Sequence, residues 1–372
     1  MQSFTDLGVP EALAAALRAQ GINEPFPIQA ATLPDALAGH DLCGRAPTGS
    51  GKTLAFGLAV LAGLAGSGER AKAGRPLGLV LLPTRELAAQ VAGVLTPLAS
   101  AVGVRLTVAY GGVGYEPQRK ALRRGVELLV GCPGRLEDLI AQGELELTDV
   151  RWAVLDEADR MADMGFLPAV RRLLDRIGPD RQMLLYSATL DGDVDVIVRR
   201  YLDSPRRHEV VDEGGGGEVI QRWWRTTREE RTSVTAALAT RHAPAVVFCR
   251  TRHGADRLTR KLAAAGVPAA AVHGSRTQPQ RERALARFAA GEIRALVATD
   301  VAARGIHVDG VGCVVHFDPP AEAKDWVHRS GRTGRAGAAG LVVTLVTDET
   351  ATAVSALQRA LGVPARTTPP EL

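Results

Sequence analysis

Short runs of Val, Leu and Ala recur along this chain, and nearly every one is continuous instead of alternating with polar residues. A strand of that kind must be covered on both faces, which is the condition of a parallel sheet flanked by helices. Five runs occupy the first half, at Leu79–Leu82, Arg105–Ala109, Leu128–Gly131, Trp152–Leu155 and Met183–Tyr186. Five more follow, at Ala245–Cys249, Ala269–Val272, Ala295–Ala298, Cys313–His316 and Leu341–Val346. Amphipathic stretches of helical period separate them, as crossovers between parallel strands require. Between the two sets lies Asp212-Glu213-Gly214-Gly215-Gly216-Gly217-Glu218. Four consecutive glycines flanked by acids hold neither helix nor strand, so this is read as a tether. The sequence predicts two tandem α/β domains with parallel sheets, at 1–205 and 219–372, joined by a flexible linker at 206–218. Ligands of such sheets bind at the carboxyl ends of the strands.

Composition closes off other classes. Across 372 residues, 46% are hydrophobic and the formal net charge is only +4, which excludes a disordered chain. No run of apolar residues is long enough to span a bilayer, and the N-terminal Met1–Pro10 lacks a basic segment followed by an apolar one. A cytoplasmic protein with no membrane association is expected. Cys43, Cys132, Cys249 and Cys313 form no C-x-x-C pair and sit in or beside apolar runs, so they are read as small core residues rather than zinc ligands or disulfides. The charge is informative only when divided. Residues 1–205 hold 21 Lys+Arg against 24 Asp+Glu, a balance of −3, while residues 206–372 hold 24 against 17, a balance of +7. A basic second half suits a polyanionic partner, and on charge alone a merely solvated surface explains it equally well.

Three clusters carry chemistry. Ala46-Pro47-Thr48-Gly49-Ser50-Gly51-Lys52-Thr53 is a P-loop with Ala in place of the first Gly. Its N–H groups and the following helix N-terminus cradle phosphates, Lys52 reaches the β- and γ-phosphates, and the Thr53 hydroxyl helps hold Mg²⁺. Val154-Leu155-Asp156-Glu157-Ala158-Asp159 ends an apolar run in adjacent carboxylates. Asp156 is the candidate Mg²⁺ partner and Glu157 the candidate base for the attacking water. The plainer alternative is acidic capping of the next helix. His328-Arg329-Ser330-Gly331-Arg332-Thr333-Gly334-Arg335 packs three further arginines around glycines. Arg332 and Arg335 are candidate arginine fingers for the γ-phosphate, with simple phosphodiester binding as the alternative.

Taken together, these motifs resemble those of DEAD-box RNA helicases of the bacterial minimal-core type, over nearly the whole chain from Phe4 to Thr347. The resemblance implies two RecA-like domains of the P-loop NTPase class, an RNA-dependent ATPase, and ATP with Mg²⁺ as ligands. Phe4 and Gly21-Ile22-Asn23-Glu24-Pro25-Phe26-Pro27-Ile28-Gln29 resemble the adenine-recognising Q motif, with Gln29 reading the base edge and Phe4 packing on it. With Phe26, Thr48, Gly49, Ser50, Gly51, Gly305 and His307 they make up the expected nucleotide set. Pro83, Thr84 and Arg85, Gly111 and Gly112, and Pro133, Gly134 and Arg135 resemble the RNA-backbone motifs of the first domain. Thr251, Arg252, Gln278, Arg281 and Thr299 resemble those of the second. Asp159, Ser187, Thr189, Asp300, Arg304 and His328 fall on positions that couple nucleotide state to RNA, Asp300 by pairing across the closed interface.

Several positions depart from the pattern. Phe26 stands where Thr is usual, and Cys132 replaces the Thr before Pro-Gly-Arg, deleting a hydroxyl-to-phosphate contact. Ser330 takes an aliphatic position and Trp326 a tyrosine position, both read as packing changes. His307 replaces an Asp that accepts a hydrogen bond from the ribose, and imidazole is the weaker acceptor.

The implied mechanism is cooperative closure of the two domains on ATP–Mg²⁺ and RNA, with backbone contacts, weak sequence preference and local, non-processive unwinding. The chain is expected to act as a monomer, with ribosome-assembly or RNA-decay factors as partners. Two rivals stay open at this level: a DNA translocase built on the same core, and an RNA clamp that unwinds little.

Overall fold

A computed structural model describes residues 2–47, 49–190, 192–210, 219–300, 310–334 and 338–371. The chain divides into two compact units, residues 1–212 and 213–372.

The first unit is built on seven strands: β1 (Leu42–Arg45), β2 (Gly78–Leu81), β3 (Leu106–Ala109), β4 (Leu128–Gly131), β5 (Trp152–Asp156), β6 (Gln182–Ser187) and β7 (Arg206–Glu209). They pair in the order β3-β4-β2-β5-β6-β1-β7, parallel throughout. Helices cover both faces, and the period-2 alternation of a strand divides the core in two. Leu42, Val80, Leu128, Val130, Val154 and Leu184 face one layer. Leu79, Leu81, Leu129, Leu155, Met183 and Leu185 face the other.

The second unit repeats the plan with β8 (Val219–Arg225), β9 (Ala245–Phe248), β10 (Ala269–Val272), β11 (Ala295–Ala298), β12 (Cys313–His316) and β13 (Gly340–Val346). Their order is β10-β11-β9-β12-β13-β8, again parallel.

All ten strands expected from the apolar runs are present, with ends shifted by a residue or so. Three others lack that signature. β1 is interrupted by Gly44 and ends in Arg45. β7 is the polar edge strand Arg-Arg-His-Glu, and β8 is an edge strand whose first four residues are exposed. β7 also corrects the linker: residues 206–209, assigned to the tether, pair in register with β1, from Leu42↔Arg206 to Arg45↔Glu209. An edge strand needs only one partner and tolerates polar side chains on both faces, so composition hid it. The four glycines lie outside the described residues. Cys43, Cys249 and Cys313 are buried in or at the end of strands and Cys132 is half-buried; burial pushes the Cys43 thiol up to about 11 and those of Cys132 and Cys313 up to about 12. Among the described residues no helix is long and apolar enough to cross a membrane.

Candidate functional site

Strand order decides which loops meet. β6 lies between β5 and β1, with Asp156 opposite Tyr186 and Arg45 opposite Ser187. The loops leaving β1, β5 and β6 therefore emerge side by side at one end of the sheet.

The P-loop leaves β1 with the Ala46 N–H donating to Ser187 O (3.1 Å), which fixes its start to β6. Gly49 and Gly51 have φ of +93° and +89°, a region L-residues avoid. At Gly51 a Cβ would also fall 2.5 Å from both Gln29 Nε2 and Phe26 Cδ2. Gln29 is 1% exposed; its Oε1 accepts the Phe26 N–H (2.9 Å) and its Nε2 donates to Gly51 O (2.9 Å). The amide thus ties the Q-motif segment to the loop. Lys52 opens the helix Lys52–Ser67 and is 5% exposed. Its Nζ donates to Ala46 O (2.9 Å) and Pro47 O (3.2 Å) and stands 3.4 Å from Glu157 Oε1.

β5 delivers the acids. Glu157 holds φ +56°, ψ +46°, left-handed for a residue with a Cβ, and is 3% exposed. Such strain persists only where surroundings enforce it. Here Lys52 engages one carboxylate oxygen, and Arg160 Nε lies 3.3 Å from the other. Glu157 is the residue before the helix Ala158–Asp163, yet its side chain makes no capping bond, so acidic capping does not account for it. Asp156 Oδ1 accepts the Glu157 N–H (2.9 Å). Burial pushes the Asp156 carboxyl up to about 7, Glu157 adding to the shift and Lys52 opposing it. The Asp159 N–H donates to Ser187 Oγ (3.2 Å), linking the acids to the end of β6, and Thr189 follows, half-buried.

These residues fit a nucleotide with a divalent cation. Ser50 Oγ is buried without a hydrogen-bond partner among the described residues, inside a loop kept open by two glycines. Adjacent buried carboxylates, one driven toward protonation, are the environment a divalent cation relieves, and the Thr53 hydroxyl lies half-buried on the same helix as Lys52. One expectation shifts. Phe4 is only 3% exposed and packs into the core, so it offers no open face for a base. The exposed ring beside the loop is Phe26, at 56%. Thr48 lies outside the described residues.

The expected nucleic-acid residues of this unit follow β2, β3 and β4, which are neighbours. Pro83 and Thr84 precede the helix Arg85–Ala101, with Thr84 Oγ1 accepting the Leu87 N–H (3.4 Å). Arg85 lies across the turn at Gly111 and Gly112; a Cβ on Gly112 would collide with its guanidinium. Pro133 and Gly134 form the first turn of the helix Pro133–Ala141, and Cys132 gives it no side-chain cap, which leaves its N–H groups available to an anion. Arg135 differs from expectation. It is 6% exposed, donates to Gln118 Oε1 (2.9 Å) and Val113 O (3.0 Å), and lies 3.9 Å from the Tyr115 ring centre. It braces the 113–118 loop through these two bonds, while its Nε is buried without a hydrogen-bond partner among the described residues.

The second unit shows the same arrangement at β9, β10 and β11, also neighbours. Thr251 Oγ1 accepts the Gly254 N–H (3.0 Å) at the start of the helix Arg252–Ala264, and Arg252 donates to Ser275 Oγ (2.7 Å). Gln278 donates to Glu282 (3.0 Å) and keeps a buried Oε1 without a partner among the described residues, one helical turn from Arg281. Thr299 is buried at the end of β11. Arg332 is 5% exposed and His328 half-buried. Arg304, Gly305, His307 and Arg335 lie outside the described residues.

Residues 26–197 match the DEAD/DEAH box helicase family, and residues 230–337 match the helicase conserved C-terminal domain. ATP-dependent RNA helicase DBP2 of Debaryomyces hansenii is 38% identical over all of this chain and 70% of its own length. This chain belongs to the DEAD-box RNA helicase family. Helicase 30 of Arabidopsis thaliana is 39% identical and chloroplastic helicase 3A of Zea mays 42%; the chain spans 64% and 49% of the lengths of these two DEAD-box relatives, which cover 100% and 96% of it. Among solved structures, S. cerevisiae Dbp5 bound to RNA and ADP BeF3 superposes with a TM-score of 0.83 at 26% identity, over 100% of this chain and 96% of that one. A DEAD box protein from the hyperthermophile Methanococcus jannaschii gives 0.54 at 30% identity, over 98% of each.

Within the second unit of this DEAD-box chain, Arg329 grips Asp300 with Nε–Oδ1 at 2.6 Å and Nη2–Oδ2 at 2.7 Å. Arg329 also donates to Asp318 O (2.9 Å) and lies 5.1 Å from the Phe248 ring centre. Trp326 stacks on Trp223 (centroids 5.5 Å, 11° between planes), donates to Thr344 Oγ1 (3.1 Å), and sits beside His316, whose burial holds its pKa well below the ordinary value. Ser330 Oγ lies 3.4 Å from His316 Nε2. Both substitutions thus serve an aromatic stack beneath the Arg329 fork. Arg160, Arg329 and Asp318 hold these contacts although the motifs assign them no role. Their place beside the acid motif, inside the arginine cluster and at the end of β12 was the available signal.

Proposed function

We propose that this chain is an ATP-dependent RNA helicase, an RNA-stimulated ATPase that uses domain closure to unwind short duplexes locally. The observation that carries the reading is the 3.4 Å approach of Lys52 to Glu157, which joins the P-loop to the acid motif. Bound Mg²⁺–ATP supplies a γ-phosphoryl group whose transfer to water releases the free energy that resets the cycle. Lys52 exchanges its contacts with loop carbonyls for phosphate oxygens, and Asp156 and Thr53 hold the cation. Glu157 orients the attacking water and accepts its proton on the carboxylate. Gln29 sets the P-loop position while Phe26 offers its exposed ring to the base. Arg332 and Arg335 of the second domain meet the charge on the γ-phosphate, so the hydrolytic set is complete only after closure. Thr84, Arg85, Gly111, Gly112, Pro133 and Gly134 in the first domain, and Thr251, Arg252, Gln278, Arg281 and Thr299 in the second, hold the RNA backbone; weak sequence preference follows from backbone recognition. The reading extends to a monomer in the cytoplasm, acting in ribosome assembly or RNA decay. Displacement of a strand from a short RNA duplex tests it. ATP should drive displacement and ADP should not. Hydrolysis without displacement would favour an RNA clamp.

A further inference from the structure

In the second unit a cleft of about 330 Å³ opens where β9 and β12 end, and the described motif residues do not fill it. We propose that this cleft is a phosphodiester subsite, which extends the RNA track past Thr251 toward the end of β12. The proposal rests on the RNA-binding reading above.

Five cations line the cleft, Arg228, Arg231, Arg250, Arg257 and Lys261, against the single carboxylate of Asp318. That carboxylate is already engaged. Its Oδ1 accepts from Arg231 Nη1 (3.1 Å) and its Oδ2 from the Arg250 backbone N–H (2.9 Å). Arg228 pairs with Glu349 at 3.2 Å, but both are about two-thirds exposed, where an ion pair is weak. The side chains of Arg250, Arg257 and Lys261 have no ion pair or hydrogen bond among the described residues. Arg257 and Lys261 are also one helical turn apart, a like-charge pair that repels until an anion lies between them. The 13-residue helix that carries them presents its positive end to the same cleft through Thr251 and Gly254.

The chemistry selects phosphate over base. The one aromatic ring in the cleft, Phe317, is covered by the Arg231 guanidinium 4.3 Å from its centre, so a base has no free face to stack on. A single strand held by the ends of β10, β11 and β9 meets this charge next, because β12 adjoins β9. Cations acting on phosphates alone add affinity without sequence preference.

The test is RNA binding by the full chain and by the double variant Arg257→Ser, Lys261→Ser, with a non-hydrolysable ATP analogue present. Two oligouridylates serve as probes, one just long enough to stimulate ATP hydrolysis and one about twice as long. Wild type should bind the longer RNA several-fold more tightly. The variant should lose that gain, bind the short RNA as wild type does, and keep its short-RNA-stimulated ATPase. For the longer RNA its slope of log affinity against log salt should fall by about 1.4, at ~0.7 per phosphate contact. A variant that retains the length gain overturns the subsite while leaving the helicase reading intact. Binding of pyrophosphate or polyglutamate through these residues, with no effect of RNA length, overturns it as well. Failure of wild type to bind even the short RNA defeats the RNA reading and this extension with it.

Discussion

Lys52 Nζ lies 3.4 Å from Glu157 Oε1, with the two side chains 5% and 4% exposed. A buried pair of this kind is costly to form and costlier to break from one side. It survives because Arg160 Nε holds the second Glu157 oxygen at 3.3 Å while two loop carbonyls take the remaining Lys52 donors. The arrangement holds the Glu157 carboxyl group beside the phosphate-binding loop.

Glu157→Gln keeps the shape and loses the charge. Turnover should fall ~10²–10⁴-fold while nucleotide affinity changes little, because the role proposed for this side chain is on water and not on nucleotide. Single-turnover hydrolysis and equilibrium nucleotide binding, measured on the same preparation, separate the two effects. Unchanged stimulated hydrolysis would remove Glu157 from the proton-accepting role.

Gly51→Ala asks an L-residue to hold φ +89° with its Cβ 2.5 Å from the Gln29 amide and the Phe26 ring. Left-handed backbone alone costs ~1–2 kcal/mol, so the ATP concentration for half-maximal activity should rise about 5–30-fold. Titration of activity against ATP checks this. A value equal to wild type would mean that the loop has room the structure does not show.

The architecture was legible where burial wrote it into composition. Most of the ten strands are buried on both faces and left continuous apolar runs, and the motifs at their carboxyl ends stood next to recognisable neighbours. β7 and β8 were not, because Arg-Arg-His-Glu and the exposed start of Val219–Arg225 meet solvent at sheet edges. Side-chain roles were the harder part. Arg135 and Asp300 sit in the expected motifs, yet Gln118, Val113 and Tyr115 absorb the first and Arg329 the second. A motif gives residue type and place, whereas hydrogen-bond partners come from distant segments.

Arg329 is 5% exposed and grips Asp300 with a two-pronged fork. Arg329→Ala should destabilise the second unit by about 2–4 kcal/mol, toward the low side for a broken buried pair because Asp300 is 31% exposed. Arg329→Lys should recover only part of this, since an ammonium cannot reproduce the planar fork. Urea denaturation followed through Trp223, Trp224 and Trp326, which all lie in this unit, reads the change. Full recovery by Lys would show that charge alone matters.

Glu127 gives the first unit a pH-dependent contribution. Burial by itself would raise its carboxyl, but bonds from the Arg105 side chain and from the Arg105 and Ala71 backbone N–H groups outweigh it, and its pKa is lowered from 4.5 to about 2. The native state thus prefers the carboxylate. Stability from this group is fully present above pH 4.5 and is lost as pH falls from there toward 2. At neutral pH it contributes roughly 2–3 kcal/mol. Glu127→Gln should therefore be less stable than wild type at pH 7, with the difference narrowing in acid. Urea midpoints for both proteins across that range provide the check, and a gap that stays constant with pH would contradict the assignment.

The most direct measurement is ATP hydrolysis by the purified chain alone, with single-stranded RNA, and with single-stranded DNA of the same sequence. RNA should raise the rate well above the basal level, DNA should raise it little, and Lys52→Ala should abolish the stimulated rate. Equal stimulation by DNA and RNA would make the protein a general nucleic-acid-dependent ATPase, and no stimulation by either would contradict the account at its centre.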